Sequence, residues 1–455
     1  MMRPENSLKI GISGIRGIVG ESLTPSLVAD FCASFGRYVG GGSVIVGRDT
    51  RPSGLMLQHA AVAGLLAAGC RPVIIGIAPT PTVQMAVEAF RANGGLAITA
   101  SHNPIEWNAL KFINGEGLFL GRYETAELLD IYNQPDLNLV TEEGILSLRN
   151  RDDAFELHQK KIFKHIDVDA VRRARFTVAV DCCNGVGALY SKKFLEDLGC
   201  TVHAVCDQPT GLFERGPEPK AENLKELCET VRENKCAVGF AQDPDGDRLA
   251  LVNSAGVPIG EQYTLILALD HILSDSPGDI VVNIQTSKAV EDLADIYGCE
   301  VHYSKVGEIN VIEKMRELNA EVGGEGSCGG VIWSKVHPCR DSFVSMALVL
   351  EMMALSGESY DEIVESMPEY VSRSVKHPCP ASDAREIIID LRKRFAKLKP
   401  RTLDGLRIDL PEGWVLIRPS NTEPVIRVTA EAAHLETVNG LLEKFETELR
   451  KSGLK

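Results

Sequence analysis

Residues Ser43 to Ile75 read SVIVGRDTRPSGLMLQHAAVAGLLAAGCRPVII. A β-type run, Ser43 to Gly47, enters a turn region. A helical stretch continues to Ala68, and Gly69-Cys70 introduces a second β run, Pro72 to Ile75. The glycine suits the left-handed residue that ends a helix, and the strand-helix-strand order implies a right-handed parallel crossover. The same order returns with Phe176 to Val180, a helix through Leu198, Gly199-Cys200 and Val202 to Val205. It returns again with Ile280 to Ile284, a helix to Tyr297, Gly298-Cys299 and Val301 to Tyr303. Strands alternate with helices in any α/β protein. The Gly-Cys landmark at the same place three times marks internal repetition.

After about Pro368 the texture changes. Lys376 to Pro380 (KHPCP) reads as a break, and Ala384 to Leu398 as a charged amphipathic helix. Asp404-Gly405 signals a turn between paired strands, Leu406 to Leu410 and Trp414 to Ile417. Val425 to Ala430 reads as a third strand, and a helix near His434 to Arg450 closes the chain. This tail is an α+β unit of a different kind.

A chain of 455 residues is too long for one ordinary core and predicts about three or four domains. Apolar residues make up 44% and charged residues 24%, as in soluble globular proteins. The longest apolar stretch, around Ala60 to Cys70, is shorter than the ~20 residues of a membrane span. The amino terminus, MMRPENSLKIGISG, has no apolar run like a secretory signal. A cytoplasmic enzyme with no membrane partner is the expectation. The formal charge of −15 argues against nucleic acid, whose phosphates need a basic face. An anionic substrate then requires a local basic pocket. No CxxC pair occurs among the twelve cysteines, so they read as reduced, mostly buried small apolar residues.

Four short stretches carry the chemistry. In TASHNP (Thr99 to Pro104), Ser101 lies just beyond the strand-like run Leu96 to Thr99, where α/β sheets commonly place ligands and catalysis. Asn103-Pro104 is also a plain turn signal. The serine is in no GxSxG elbow and has no hydrolase triad. Lys111 could move a proton or neutralise phosphate charge. In DPDGDR (Asp243 to Arg248), Asp245 and Asp247 follow Asp243 at alternate positions along a tight turn. Each such pair of carboxylates costs about 4 kcal/mol at 4 Å under an effective dielectric near 20. A divalent cation removes that cost, and all-oxygen ligands favour magnesium, calcium or manganese. An EF-hand is excluded, since its glycine and glutamate positions hold Arg248 and Ser254. GGEGSCGG (Gly323 to Gly330) reads as a flexible loop displaying Glu325 and Ser327 to sugar hydroxyls. In RPSNTEP (Arg418 to Pro424), Arg418 offers a planar fork for phosphate, with Ser420, Asn421 and Thr422 as neutral donors. Ser-Asn-Thr is equally good turn material. Gly11 to Gly17 (GISGIRG) is a further glycine loop presenting Arg16 without the lysine of a P-loop.

GISGIRG, VGRDTRPSG, TASHNP, DPDGDR, GGEGS and RPSNTEP, in this order, resemble the α-D-phosphohexomutase superfamily over essentially the whole chain. That superfamily includes phosphoglucomutase/phosphomannomutase and phosphoglucosamine mutase. The resemblance implies three related α/β domains with mixed sheets and a smaller C-terminal α+β domain around a central cleft. The domains would span 1–153 (phosphoserine loop), 154–256 (metal loop), 257–369 (sugar loop) and 370–455 (phosphate loop). It implies that Ser101 carries a phosphoryl group with His102 beside it. Asp243, Asp245 and Asp247 would hold one Mg2+ per chain, a phosphoserine oxygen of Ser101 completing the shell and Arg248 close by. Arg16 and Lys111 would assist proton transfer and charge neutralisation, and Glu325 and Ser327 would read sugar hydroxyls. Arg418, Ser420, Asn421 and Thr422 would hold the phosphate not being transferred. The implied reaction interconverts a hexose 6-phosphate and its 1-phosphate through a hexose 1,6-bisphosphate that also serves as primer.

Departures from the family pattern concern the sugar. Cys328-Gly329 follows Glu-x-Ser where many members have Gly-His, GGEGSCGGVI looks like the archaeal-type phosphoglucosamine mutases' GGEGNGGVI with one extra residue, and Ala109 stands where glycine is usual. RPSNTEP leans towards glucose and mannose phosphates, with glucosamine phosphate as the alternative. Two other classes are distinct. One is a haloacid-dehalogenase-type phosphatase with Asp243 as nucleophile, disfavoured because Asp247-Arg248 stands where a small residue or threonine is wanted. The other is a non-catalytic sugar-phosphate sensor, disfavoured by the intact Ser101, Lys111 and aspartates. The sequence carries no signal of oligomeric state.

Overall fold

The computed structural model describes residues 8–11, 14–420 and 424–454, the side chain of residue 381 excepted. Each of the three repeats forms two parallel strands joined by a helix. In the first sheet these are β3 (Gly42–Arg48) and β4 (Cys70–Ile77), flanked by β1 (Lys9–Gly11), β2 (Gly14–Ile18), β5 (Gly94–Ile98), β6 (Trp107–Ile113) and β7 (Arg149–Asn150), in the order β1-β2-β6-β5-β3-β4-β7. The second sheet holds β8 (Thr177–Asp181), β9 (Thr201–Val205), β10 (Val238–Gln242) and β11 (Leu249–Val252), ordered β11-β10-β8-β9. The third holds β12 (Ile280–Asn283), β13 (Val301–Ser304), β14 (Val322–Glu325), β15 (Gly330–Trp333) and β16 (His337–Arg340), ordered β13-β12-β14-β15-β16.

All three sheets are mixed. β3 and β4, β8 and β9, and β12 and β13 run parallel, whereas β5 and β6, β10 and β11, and β14 and β15 are antiparallel pairs. The landmark glycines Gly69, Gly199 and Gly298 have φ of +78°, +85° and +66°, the left-handed turn that stops a helix. The cysteines that follow are small enough to enter the next strand beside a packed helix. Cys70 and Cys200 are buried and Cys299 is half-buried, and all twelve cysteines are free thiols.

The final unit is a four-stranded antiparallel sheet, β17 (Val371–Pro378), β18 (Leu406–Leu410), β19 (Gly413–Pro419) and β20 (Val425–Ala432), ordered β17-β20-β19-β18. Helices Ala381–Arg394 and Leu435–Lys451 close a core of Leu391, Val415, Ile417, Val428, Leu441 and Phe445. KHPCP is not the break expected from its sequence, because β17 continues through Pro378. β17 is an edge strand paired only with β20, and an edge tolerates a residue that cannot donate.

Packing ties the units together. One apolar cluster runs from Val178 and Phe240 in the second unit to Ile280, Val322 and Phe343 in the third. Phe155 and Phe194 meet Phe343 edge-on, with centroids 4.9 and 5.3 Å away. The last unit docks through the fully buried Arg407, which donates to the carbonyls of Ile284 (2.9 Å) and Thr286 (3.2 Å) and lies over the Trp414 ring. Among the described residues, no helix is long and apolar enough to cross a membrane.

Candidate active site

Ser101 sits in the turn between β5 and β6 with φ of +50°, a left-handed conformation uncommon for serine. Neighbours hold it there. Its N–H donates to Thr99 Oγ1 (2.9 Å), and that hydroxyl donates to Asp49 Oδ2 (2.7 Å). Arg51, paired with Asp49, donates to the carbonyls of Ser101 (2.8 Å) and Asn103 (2.6 Å). The buried Ser101 hydroxyl thereby points across the unit boundary and donates to Asp243 Oδ2 at 2.7 Å.

Asp243, Asp245 and Asp247 occupy the turn between β10 and β11, fully buried, with one oxygen from each within 4.8 Å of the others. The protein grips part of each carboxylate. Asp243 Oδ1 accepts from the backbone of Asp247 and Arg248. Asp245 Oδ2 accepts from Lys111 Nζ and Thr80 Oγ1, both at 2.7 Å. Asp247 Oδ2 accepts from Arg340 Nη2 at 2.5 Å. Asp245 Oδ1 and Asp247 Oδ1 are buried with no hydrogen-bond partner. Burying such acceptors without compensation is costly, and a hard divalent cation is the group that fits two bare carboxylate oxygens beside a third carboxylate. Burial and the two neighbouring carboxylates push the Asp243 carboxyl well up. Burial acts the same way on Asp245, but the Lys111 ammonium overcomes it and holds that carboxyl well below its ordinary value.

Cations line the other wall. Arg248 Nε lies 3.7 Å from Asp247 Oδ1 and Nη1 3.4 Å from Glu218 Oε1. Arg16 donates to Asn103 Oδ1 at 2.7 Å. It lies on strand β2, opposite Ala109 on β6, where the sequence reads as a glycine loop; Ile12 and Ser13 lie outside the described residues. Arg248, then burial, then Arg16 hold the His102 imidazole well below its usual range. Its Nδ1 lies 3.4 Å from Ser101 Oγ.

Gly323 to Gly330 is not the flexible loop expected. Gly323, Gly324 and Glu325 belong to β14, a single 3-10 turn covers Gly326–Cys328, and β15 begins at Gly330. A Cβ on either strand glycine would collide with backbone carbonyls of Val281 or Gly330. Glu325 is buried. Its Oε1 accepts from Asn283 Nδ2 (2.8 Å) and Gly307 N (2.6 Å), and its Oε2 from Arg340 Nη1 (2.8 Å). Three of about four acceptor positions are thus in use. Ser327 is exposed. Arg418, at the end of β19, pairs with Asp404 at 3.0 Å, and Asp404 also accepts from Val306 N at 3.3 Å. Val306 precedes Gly307, so the start of RPSNTEP lies one short chain of contacts from Glu325. Ser420 is half-buried; Asn421 and Thr422 lie outside the described residues.

Ser101, His102, Lys111, the three aspartates, Arg248 and Arg16 therefore converge, and Glu325 joins them through Arg340. The sequence reading missed Asp49, Arg51, Thr80, Glu308 and Arg340. Arg51 stands in VGRDTRPSG, where an Asp-x-Arg after a strand was the available signal. Arg340 had none, because its three carboxylate partners are at unrelated spacings.

Models of the phosphoglucomutase/phosphomannomutase family match the chain in four pieces: alpha/beta/alpha domain I over residues 7–138, domain II over 156–256, domain III over 260–370 and the C-terminal domain over 379–448. A phosphoglucomutase/phosphomannomutase of Thermococcus kodakarensis is 36% identical over 442 residues, covering 95% of this chain and 96% of its own. A probable phosphoglucosamine mutase of Methanopyrus kandleri is 36% identical over 439 residues, covering 96% of each. Among solved structures, a phosphoglucomutase/phosphomannomutase family protein from Burkholderia thailandensis superposes with a TM-score of 0.84 at 26% identity, covering 98% of this chain and 99% of that one.

Proposed function

This chain belongs to the α-D-phosphohexomutase superfamily, with all four of its domains, and is a phosphohexomutase, an intramolecular phosphotransferase; on that premise we propose that Ser101 is the residue that carries the phosphoryl group, and that glucose and mannose phosphates are the substrates. The observation that carries the proposal is the 2.7 Å contact between Ser101 Oγ and Asp243 Oδ2 across two units. It sets a hydroxyl beside the one carboxylate cluster, among the described residues, suited to a divalent cation. Asp243, Asp245 and Asp247 would hold that cation, Mg2+, which when bound offsets charge on the phosphoryl oxygens.

The chain's own residues do the rest. Phosphorylated Ser101 gives its phosphoryl group to the free C6 or C1 hydroxyl of a hexose monophosphate. As the new P–O bond forms and the Ser101 Oγ–P bond breaks, the proton of that hydroxyl passes, assisted by Lys111 and Arg16, to Ser101 Oγ, which leaves as the serine hydroxyl. The bound 1,6-bisphosphate turns over, and its other phosphoryl group returns to Ser101, releasing the isomeric monophosphate. Phosphoryl transfer depends on positioning and charge compensation more than on a strong nucleophile. Arg16, Lys111 and Arg248 provide compensating charge. Arg418 and Ser420, with Asn421 and Thr422, would grip the idle phosphate, and Glu325 and Ser327 the sugar hydroxyls.

A second sugar class, glucosamine phosphate, is supported by the name of the Methanopyrus relative. Both readings share one test. With Mg2+ and a 1,6-bisphosphate primer, kcat/KM is compared for glucose, mannose, glucosamine and N-acetylglucosamine 1-phosphates, with Ser101→Ala as control. The expected result is turnover of glucose and mannose phosphates, abolished by Ser101→Ala. A preference of tenfold or more for glucosamine 1-phosphate would replace the sugar assignment, and a normal rate in Ser101→Ala would remove the nucleophile.

A further inference from the structure

Arg340 is the last residue of β16, and its guanidinium is spent on three carboxylates from different places. Nη2 reaches Asp247 of the metal turn (2.5 Å), Nη1 reaches Glu325 (2.8 Å), and Nε reaches Glu308 at the start of helix Glu308–Leu318 (3.1 Å). Nη1 also lies 3.4 Å from Cys328 Sγ. The backbone is shaped around this side chain, since a Cβ at Gly330 would collide with Arg340 Cδ and Cγ. A buried cation among three anions is a poor device for stability alone, because desolvation offsets most of the attraction. What the fork does provide is a rigid plane. Asp247 Oδ2 and Glu325 Oε2 bind adjacent nitrogens of that plane, so a shift of one carboxylate moves the acceptor geometry of the other.

Each contact also decides which oxygens stay free. With Oδ2 held by Arg340, Asp247 keeps Oδ1 free of hydrogen bonds, 3.7 Å from Arg248 Nε. With Oε2 held by the same side chain and Oε1 by Asn283 and Gly307, Glu325 keeps a fixed orientation.

We propose that Arg340 is a positioning residue that couples cation binding at Asp243, Asp245 and Asp247 to hexose recognition at Glu325, so that each ligand tightens binding of the other. The coupling rests on the metal and sugar assignments made above. It is reciprocal by thermodynamic necessity. A cation that fixes Asp247 fixes the guanidinium and hence Glu325, and hydroxyls that engage Glu325 act back along the same path.

The test uses full-length Ser101→Ala protein, which blocks turnover, and measures Mn2+ binding by titration calorimetry with and without saturating glucose 1-phosphate. The sugar phosphate is expected to lower the Mn2+ Kd about fivefold or more. In an Arg340→Met background Mn2+ should bind about tenfold more weakly, and glucose 1-phosphate should change its Kd by less than twofold. Arg340→Lys should recover part of the Mn2+ affinity but not the coupling, since a point charge cannot bridge two carboxylates. Thermal melts identify folded variants, and if Arg340→Met does not fold, Gly330→Ala and Arg340→Lys carry the same readout. Undiminished coupling in the folded Arg340 variants overturns this inference alone. Folded wild-type protein, titrated alongside without primer, that binds neither Mn2+ nor glucose 1-phosphate overturns the underlying site assignment, and the inference with it.

Discussion

Ser101 holds its left-handed backbone because Thr99, Asp49 and Arg51 over-determine it, as strained residues at working sites generally require. Glu308 shows the same dependence on surroundings through its charge. Burial pushes its carboxyl up to about 7, against the opposing pull of Arg340 and Lys111, from 4.5 for an unperturbed glutamate. Between those values the folded chain binds a proton that the unfolded chain lacks. The contribution of the group to stability is complete below about pH 4.5 and is lost as pH rises through 7. Relative to wild type, Glu308→Gln should therefore gain stability between about pH 5 and pH 8 in thermal melts without added metal. The gain should be at most about 3 kcal/mol; a constant difference in melting temperature would contradict it. At this scale the aspartates and Ser101 were legible because their chemistry is written in adjacent residues. Glu308 and Arg340 were not, because a buried ion network is defined by folding and leaves no spacing in the chain.

Among the elements, the three Gly-Cys landmarks were readable because a helix end and a strand start are local events. The glycine stretch at Gly323 was misread for an equally physical reason. Glycine there does not signal freedom; it answers close approach, since β14 and the turn after it pack against backbone on both sides. Gly329 illustrates the point. It has φ of +63°, a Cβ there would collide with the carbonyl of Leu249, and its own carbonyl accepts from Leu249 N at 3.3 Å. This joins the β14–β15 hairpin of the third unit to β11 of the second. Gly329→Ala should cost at least about 2 kcal/mol from left-handed strain and the backbone clash together. Urea titration measures this, and an unchanged midpoint would show that the hairpin is free to move from β11. The edge strand β17 was lost at Pro378 because pairing on one side only is a property of the sheet.

For the molecule as a whole, the separate motifs become one site only if four units keep their relative positions. The second and third share a continuous core, so their alignment is secured by apolar burial. The last unit depends more on polar docking, in which Arg407 supplies hydrogen bonds to the carbonyls of Ile284 and Thr286, just beyond β12. Arg407→Ala should loosen that unit. KM for hexose phosphate should rise roughly tenfold with a smaller change in kcat, since the idle-phosphate grip is weakened while Ser101 and the metal turn stay intact. An equal fall in kcat and kcat/KM would place Arg407 in the chemistry instead.

The central claim is that the hydroxyl of Ser101 accepts and returns the phosphoryl group beside the aspartate cluster. Its most direct test is intact and peptide-level mass spectrometry of the protein after incubation with glucose 1,6-bisphosphate and Mg2+. The account predicts one phosphoryl group per chain, localised to Ser101 and absent from Ser101→Ala. A chain that stays unmodified, or one that carries its phosphate on Asp243, would contradict it.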